Sequence, residues 1–163
     1  MEISIDLTDI KILAALQADA CLQNTELAKK LGMAPSAVLE RVKKLELKGI
    51  IQAYNTRINP EVLDLKLLAF VFIKTSEGPG NVAVAKQLVK IPDVLELHHI
   101  AGEDCYLMKV RSKDPLSLIH FMREKMSKIP GILSTKTTIV LETLKEDNYL
   151  PIPKPTEWKK HSP

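Results

Sequence analysis

Cysteine is nearly absent: the 163 residues hold two, Cys21 and Cys105, far apart, which excludes a disulfide framework. Aromatics are scarce too, at three Phe, three Tyr and one Trp, so the core must be built from Leu, Ile, Val and Ala. No apolar run approaches the length needed to cross a bilayer. The opening Met1-Glu2-Ile3-Ser4-Ile5-Asp6 lacks the basic start and apolar stretch of a secretion signal, and a cytoplasmic protein without membrane contact is expected. Phosphate-loop glycines and zinc-ligand spacings are missing, so no cofactor and no metal are expected. Excess charge is missing as well. Net charge is +3, and residues 1–59 set eight Lys/Arg against seven Asp/Glu. If nucleic acid is the partner, positive charge must be focused locally.

What is present begins with helix signals. Asp6 and Asp9 give a capping oxygen and an acidic first turn for a helix over 7–18. Asn24 or Thr25 can cap a second, short helix with Leu27, Ala28 and Leu31 on its apolar face. Gly32 can end that helix in the left-handed conformation, with Met33 folding back on it. Pro35 suits the first turn of a third helix, where Val38, Val42 and Leu45 recur at i, i+4 and i+7 and Gly49 is the stop. Two short helices joined by a tight turn after a supporting helix make a helix-turn-helix. The outward face of the third helix would carry Ser36, Ala37, Leu39, Glu40, Arg41, Lys43, Lys44 and Lys48. Such a face can enter the major groove of double-stranded DNA, with its N-terminal positions at bases and its cations at phosphates. The plain alternative is a three-helix bundle with a solvated basic face. Ile50, Ile51 and Tyr54 then read as a short extended stretch closed by Asn59-Pro60, so 51–65 is taken as a wing and hinge linker after a 1–50 DNA-binding domain.

The strongest strand signal is Lys66–Lys74, apolar on both faces: Leu67, Ala69, Val71 and Ile73 on one, Leu68, Phe70 and Phe72 on the other. One face should cover helices of its own domain and the other a second subunit. A turn at Gly78-Pro79-Gly80 and a helix over 81–90 follow. Lys90-Ile-Pro-Asp-Val-Leu95 and Lys128-Ile-Pro-Gly-Ile-Leu133 form an internal repeat, each copy ending a helix and opening a strand. Asp114-Pro115 supplies a cap and first-turn proline before the second copy. With strands at 94–101 and 105–111, a hinge at Gly102-Glu103-Asp104 and a last strand over 132–143, the order is β-α-β-β-α-β. That is a ferredoxin-like domain over 66–146, and the class is α+β. The tail, 147–163, holds four of the ten prolines and the only Trp, Trp158, and reads as an extended strap or as disordered.

The ordered set Leu7-Thr-Asp-Ile-Lys-Ile-Leu13, Glu26-Leu-Ala-Lys-Lys-Leu-Gly32, Arg41-Val-Lys-Lys-Leu-Glu46 with Gly49-Ile-Ile51, Tyr54 with Asn59-Pro60, Gly102-Glu-Asp-Cys-Tyr-Leu-Met-Lys-Val110 and Thr138-Ile-Val-Leu-Glu142 resembles the Lrp/AsnC (feast/famine) regulators over residues 5–146. The resemblance implies sequence-specific transcriptional regulation and a C-terminal domain of the RAM type. It also implies a homodimer that assembles into octamers or higher forms, and an amino-acid effector held between dimers near Gly102–Cys105 and the last strand. There are departures. Ala34 stands where the family usually has Ser or Thr, so a cap hydroxyl worth ~1 kcal/mol and a phosphate contact are lost. Leu39 and Glu40 occupy outward positions where polar or basic residues are frequent; they suit thymine methyls and a cytosine amino group, or touch no base. Asp104-Cys105 replaces an aromatic followed by Asp.

An amino acid needs an acceptor for its ammonium and N–H groups for its carboxylate. Glu103 or Asp104 can supply the acceptor, Gly102 allows close backbone approach, and Thr135 and Thr137 share one face of the last strand. Glu103 and Asp104 could equally do no more than solvate a hairpin. His98 and His99, as strand neighbours, point to opposite faces and are not expected to share an ion. Cys105 has no evident base for nucleophilic work. A ferredoxin-like enzyme and an architectural DNA-binding protein indifferent to sequence are the alternatives. The first lacks a catalytic constellation, and the second would draw on phosphate neutralisation that the weak net charge does not favour.

Overall fold

A computed structural model describes residues 5–78, 80–154 and 157. The chain divides into two compact units: residues up to Arg57 together with those from Asp147 on, and residues Ile58–Glu146.

The first unit is three helices: α1 (Leu7–Ala18), α2 (Asn24–Leu31) and α3 (Pro35–Leu47). Asp6 caps α1 as expected. Its carboxylate accepts the Asp9 N–H at 2.9 Å while Asp9 accepts the Asp6 N–H at 3.0 Å, which satisfies two donors that every helix start leaves open. The second helix departs from expectation. Its boundary residue is Gln23, with no side-chain cap, and Asn24 already lies inside the first turn. Gly32 ends α2 at φ 65, a conformation in which a Cβ would crowd the following carbonyl, and Met33 N–H returns to the Ala28 carbonyl at 3.0 Å. Helix α3 closes by the same pattern, Ile50 N–H reaching the Leu45 carbonyl at 2.9 Å. Ile12, Leu16, Leu27, Val38, Val42 and Leu45 form the buried core. Removing one of these, as in Ile12→Ala, costs about 2–5 kcal/mol. Residues 51–59 pair in no ladder, so the wing is extended chain rather than a strand; it ends in a 3₁₀ turn over Pro60–Leu63 capped by Asn59.

The second unit is a four-stranded antiparallel sheet, β1 (Leu67–Thr75), β2 (Val94–His99), β3 (Tyr106–Ser112) and β4 (Ile132–Ile139), in the order β2-β3-β1-β4. Helix α4 (Ala83–Leu88) joins β1 to β2 and α5 (Pro115–Phe121) joins β3 to β4, so the ferredoxin-like order holds. Asp114 caps α5 on the Ser117 N–H at 2.7 Å, with Pro115 in its first turn. Helix α4 is shorter than the 81–90 expected. Asn81 and Glu77 side chains take the N–H groups of Ala83 and Val84, at 3.1 and 3.0 Å, and so hold the chain out of helix before them. On one sheet face Ala69, Val71, Ile73, Met108 and Val110 pack with Val84, Leu88, Leu118 and Phe121. Phe70 and Phe72 lie on the other face, where Lys136 sits 4.8 Å over the Phe72 ring.

Candidate DNA-binding and effector sites

On α3, Ser36, Leu39, Glu40, Lys43, Lys44 and Lys48 are exposed and Ala37 is half-buried. Leu39 and Lys43 also line a groove of about 270 Å³ with Leu16, Leu22, Val42 and Tyr54. Tyr54 donates to Glu46 at 2.9 Å. Partial burial and the neighbouring carboxylate push its hydroxyl up to about 12.

Arg41 corrects the outward reading. Its Nη1 lies 2.7 Å from Asp6 and 2.8 Å from Asp9, so the guanidinium ties α3 to the cap of α1. Hydrogen bonds to the two carboxylates raise the Arg41 pKa further. Burial works against ionisation of Asp6, yet the Asp9 N–H and Arg41 hold its carboxyl below the usual range. A signal for this existed in the sequence. Arg41 stands three residues after Val38 and four before Leu45, inside the apolar stripe rather than opposite it.

The effector candidates gather at one end of the sheet. Residues 100–105 form the hairpin between β2 and β3, closed by Ile100 N–H to the Cys105 carbonyl at 3.0 Å, and Cys105 N–H donates to the Ile73 carbonyl at 2.9 Å. Ile73 faces Tyr106 on one side and Thr135 on the other, so β1 lies between Thr135 and the hairpin strand β3, a separation of about 10 Å across the sheet. Thr137 continues the same face opposite Val71. Gly102 sits at φ 143, a backbone conformation that side chains disfavour, with open space where a Cβ would point. Glu103 is exposed, Asp104 and Cys105 are half-buried, and Thr75 donates weakly to Cys105 Sγ at 3.4 Å. His98 and His99 diverge as expected: His98 shares the Glu96 face at 3.5 Å, and His99 packs on Tyr106.

A cluster of charges on β3 was not anticipated. Lys109 lies 2.9 Å from Glu96 and 2.6 Å from Glu146, and Arg111 lies 2.9 Å from Glu146. Burial acts against the Lys109 ammonium, but Glu146 and Glu96 hold its pKa above the ordinary value. Lys109 and Arg111 alternate with buried Tyr106, Met108 and Val110, which was the available sequence signal.

Two family models match the chain: a winged helix-turn-helix DNA-binding domain over residues 5–52, and the Lrp/AsnC ligand binding domain over residues 68–150. The leucine-responsive regulatory proteins of Escherichia coli K12 and Klebsiella pneumoniae are each 36% identical over 150 residues, 91% of this chain and 92% of theirs. A transcriptional regulator of Neisseria meningitidis, solved with L-methionine, superposes with TM-score 0.83 at 32% identity, covering 91% of this chain and 97% of that one. The feast or famine regulatory protein of Mycobacterium tuberculosis, also complexed with L-methionine, gives TM-score 0.81 at 32% identity, covering 91% and 100%. Escherichia coli AsnC gives 0.81 at 28% identity, covering 89% and 97%.

Proposed function

Because the chain belongs to the Lrp/AsnC family of DNA-binding transcriptional regulators, which are not enzymes, we propose that it is a sequence-specific regulator modulated by an amino acid bound at the β2–β3 hairpin. The observation that carries the effector reading is the hairpin itself. Gly102 at φ 143 opens the backbone for close approach, Asp104 offers an acceptor for an ammonium, and Thr135 stands on the same end of the sheet. Relatives solved with L-methionine, and others named for leucine, point to an unbranched or branched aliphatic side chain. The DNA reading rests on Ser36, Leu39 and Glu40 toward the start of α3, with Lys43 and Lys44 one turn on.

The sheet face bearing Phe70, Phe72 and Leu107 is the surface we assign to a second copy, making a homodimer that presents two recognition helices to a roughly palindromic site. Octamers would place hairpins of neighbouring dimers together. Sedimentation equilibrium tests this assembly, and a monomer at micromolar concentration would exclude it.

A thermal-shift scan against the twenty amino acids tests the effector. A ligand at ~100 times its dissociation constant stabilises the native state by ~2.7 kcal/mol. We expect methionine or leucine to shift the wild type and not Asp104→Ala. Equal shifts in both would remove Asp104 from the site. Comparable affinity for all duplex sequences would favour an architectural protein instead.

A further inference from the structure

The chain after β4 has two anchors. The first is Glu146, whose carboxylate holds Lys109 Nζ and Arg111 Nη2 at 2.6 and 2.9 Å, both cations nearly sequestered at 12% and 13% side-chain exposure. The second, four residues on, is on α1. Gln17 Nε2 donates to the Leu150 carbonyl at 2.7 Å, and the Leu150 N–H donates back to Gln17 Oε1 at 3.1 Å. A primary amide is the one side-chain group that matches both halves of a peptide unit in this way; a carboxylate accepts but cannot donate. Between the anchors Asp147 accepts the Tyr149 N–H at 3.1 Å, which shapes the intervening turn. Pro151 and Pro153 bias Leu150 and Ile152 toward extended backbone, so less freedom is lost on seating. The Leu150 side chain stays exposed, so backbone pairing rather than apolar burial holds it.

We propose that residues 147–152 are a strap, and Gln17 its positioning residue, that gives the DNA-binding unit a second connection to the sheet beside the 51–65 segment. The strap leaves the sheet from β4, the strand that carries Thr135 and Thr137. A recognition helix held by two connections samples fewer orientations than one held by a single linker. The second half-site of a palindrome is then met at higher effective concentration, while contact with one half-site is unaffected. This inference rests on the DNA-binding reading.

The test uses the full chain, a palindromic duplex that it selects from a random pool, and the same duplex with one half scrambled. Gln17→Leu should lower affinity for the palindrome about fivefold or more and leave the scrambled duplex within about twofold. A chain ending at Glu146 should show the same loss, and adding Gln17→Leu to it should do nothing further. An equal effect of Gln17→Leu in both backgrounds, or equal loss on both duplexes, would overturn the proposal, since Gln17 would then act through α1 itself. Amide exchange at Leu150 reads the strap without DNA. Protection in the intact chain that vanishes in Gln17→Leu is expected, and unprotected exchange in the intact chain would also overturn it. Failure to select any duplex would count against the DNA-binding reading instead.

Discussion

Arg41→Ala should weaken the fold of the helix-turn-helix before it alters any base preference. One nitrogen of Arg41 serves two carboxylates, at 2.7 and 2.8 Å. The Asp6 side chain is half exposed, so that pair belongs to the surface regime of about 0.2–1 kcal/mol. Asp9 is 14% exposed and its pair is better shielded, so the loss together is about 1–2 kcal/mol. Asp6→Asn isolates the charge, because asparagine caps a helix about as well as aspartate. A cycle of the two substitutions should then give a coupling of about 0.5 kcal/mol, read by urea unfolding at pH 7. The pH dependence has a definite sign. The Asp6 carboxyl lies below its ordinary 3.8 in the folded chain, so its contribution is present above that value and is lost as pH falls through the folded one. The gap between wild type and Arg41→Ala should therefore narrow in acid below about pH 4. A variant of unchanged stability that had lost discrimination between duplexes would refute this and return Arg41 to the base-reading face.

Gly102→Ala meets no neighbour but must hold φ 143 with a side chain; chemical denaturation of the full chain should show a loss of about 1–2 kcal/mol together with weakened effector binding, and a neutral result would mean the hairpin relaxes freely. Tyr54 should titrate near 12 by tyrosinate absorbance and fall toward 10 in Glu46→Gln. Because its proton is held more tightly in the folded chain, its stabilisation is complete below pH 10 and is lost as pH rises toward 12. For a dimer on two half-sites, Lys44→Gln should flatten the dependence of log affinity on log salt by about 1.8, whereas Arg41→Ala should leave that slope nearly unchanged. Equal slopes for wild type and Lys44→Gln would place Lys44 away from phosphate.

Sequence reasoning succeeded where the determinants are local. Asp6 with Asp9, Gly32 with Met33 and Asp114 with Pro115 each close a helix end through neighbours three to six residues away, and α1 begins and ends as read. The sheet order was legible because the Lys-Ile-Pro repeat marks both crossings from helix to strand. Failures came from partners distant in sequence. Glu77, seven residues earlier, shortens α4 by accepting a hydrogen bond from the Val84 N–H, alongside the local Asn81 bond to the Ala83 N–H. The seat of the tail on Gln17 spans 133 positions and has no periodic signature. The role of Trp158 lies outside the described residues. For the candidate effector hairpin, Gly102 and the pair Thr135 and Thr137 were named from sequence, and what the β1–β4 register adds is their distance across the sheet.

The charge distribution constrains how such a regulator can work. The first 59 residues carry a balance of only +1, and Arg41 is neutralised within the unit by two carboxylates. The exposed cations of α3 and its end are therefore Lys43 and Lys44, about two turns beyond Ser36, and Lys48, with Glu40 one turn before Lys43 and Lys44. One recognition helix with so few phosphate contacts binds weakly at physiological salt, because counterion release scales with the number of phosphates neutralised. The proposed dimer would supply affinity through two helices engaging half-sites together, and the second engagement would depend on spacing and orientation rather than on charge. An effector that binds one assembly state better than another then changes DNA affinity without touching α3 at all. If the chain pairs as proposed above, geometry between its two copies is the variable on which an effector would act.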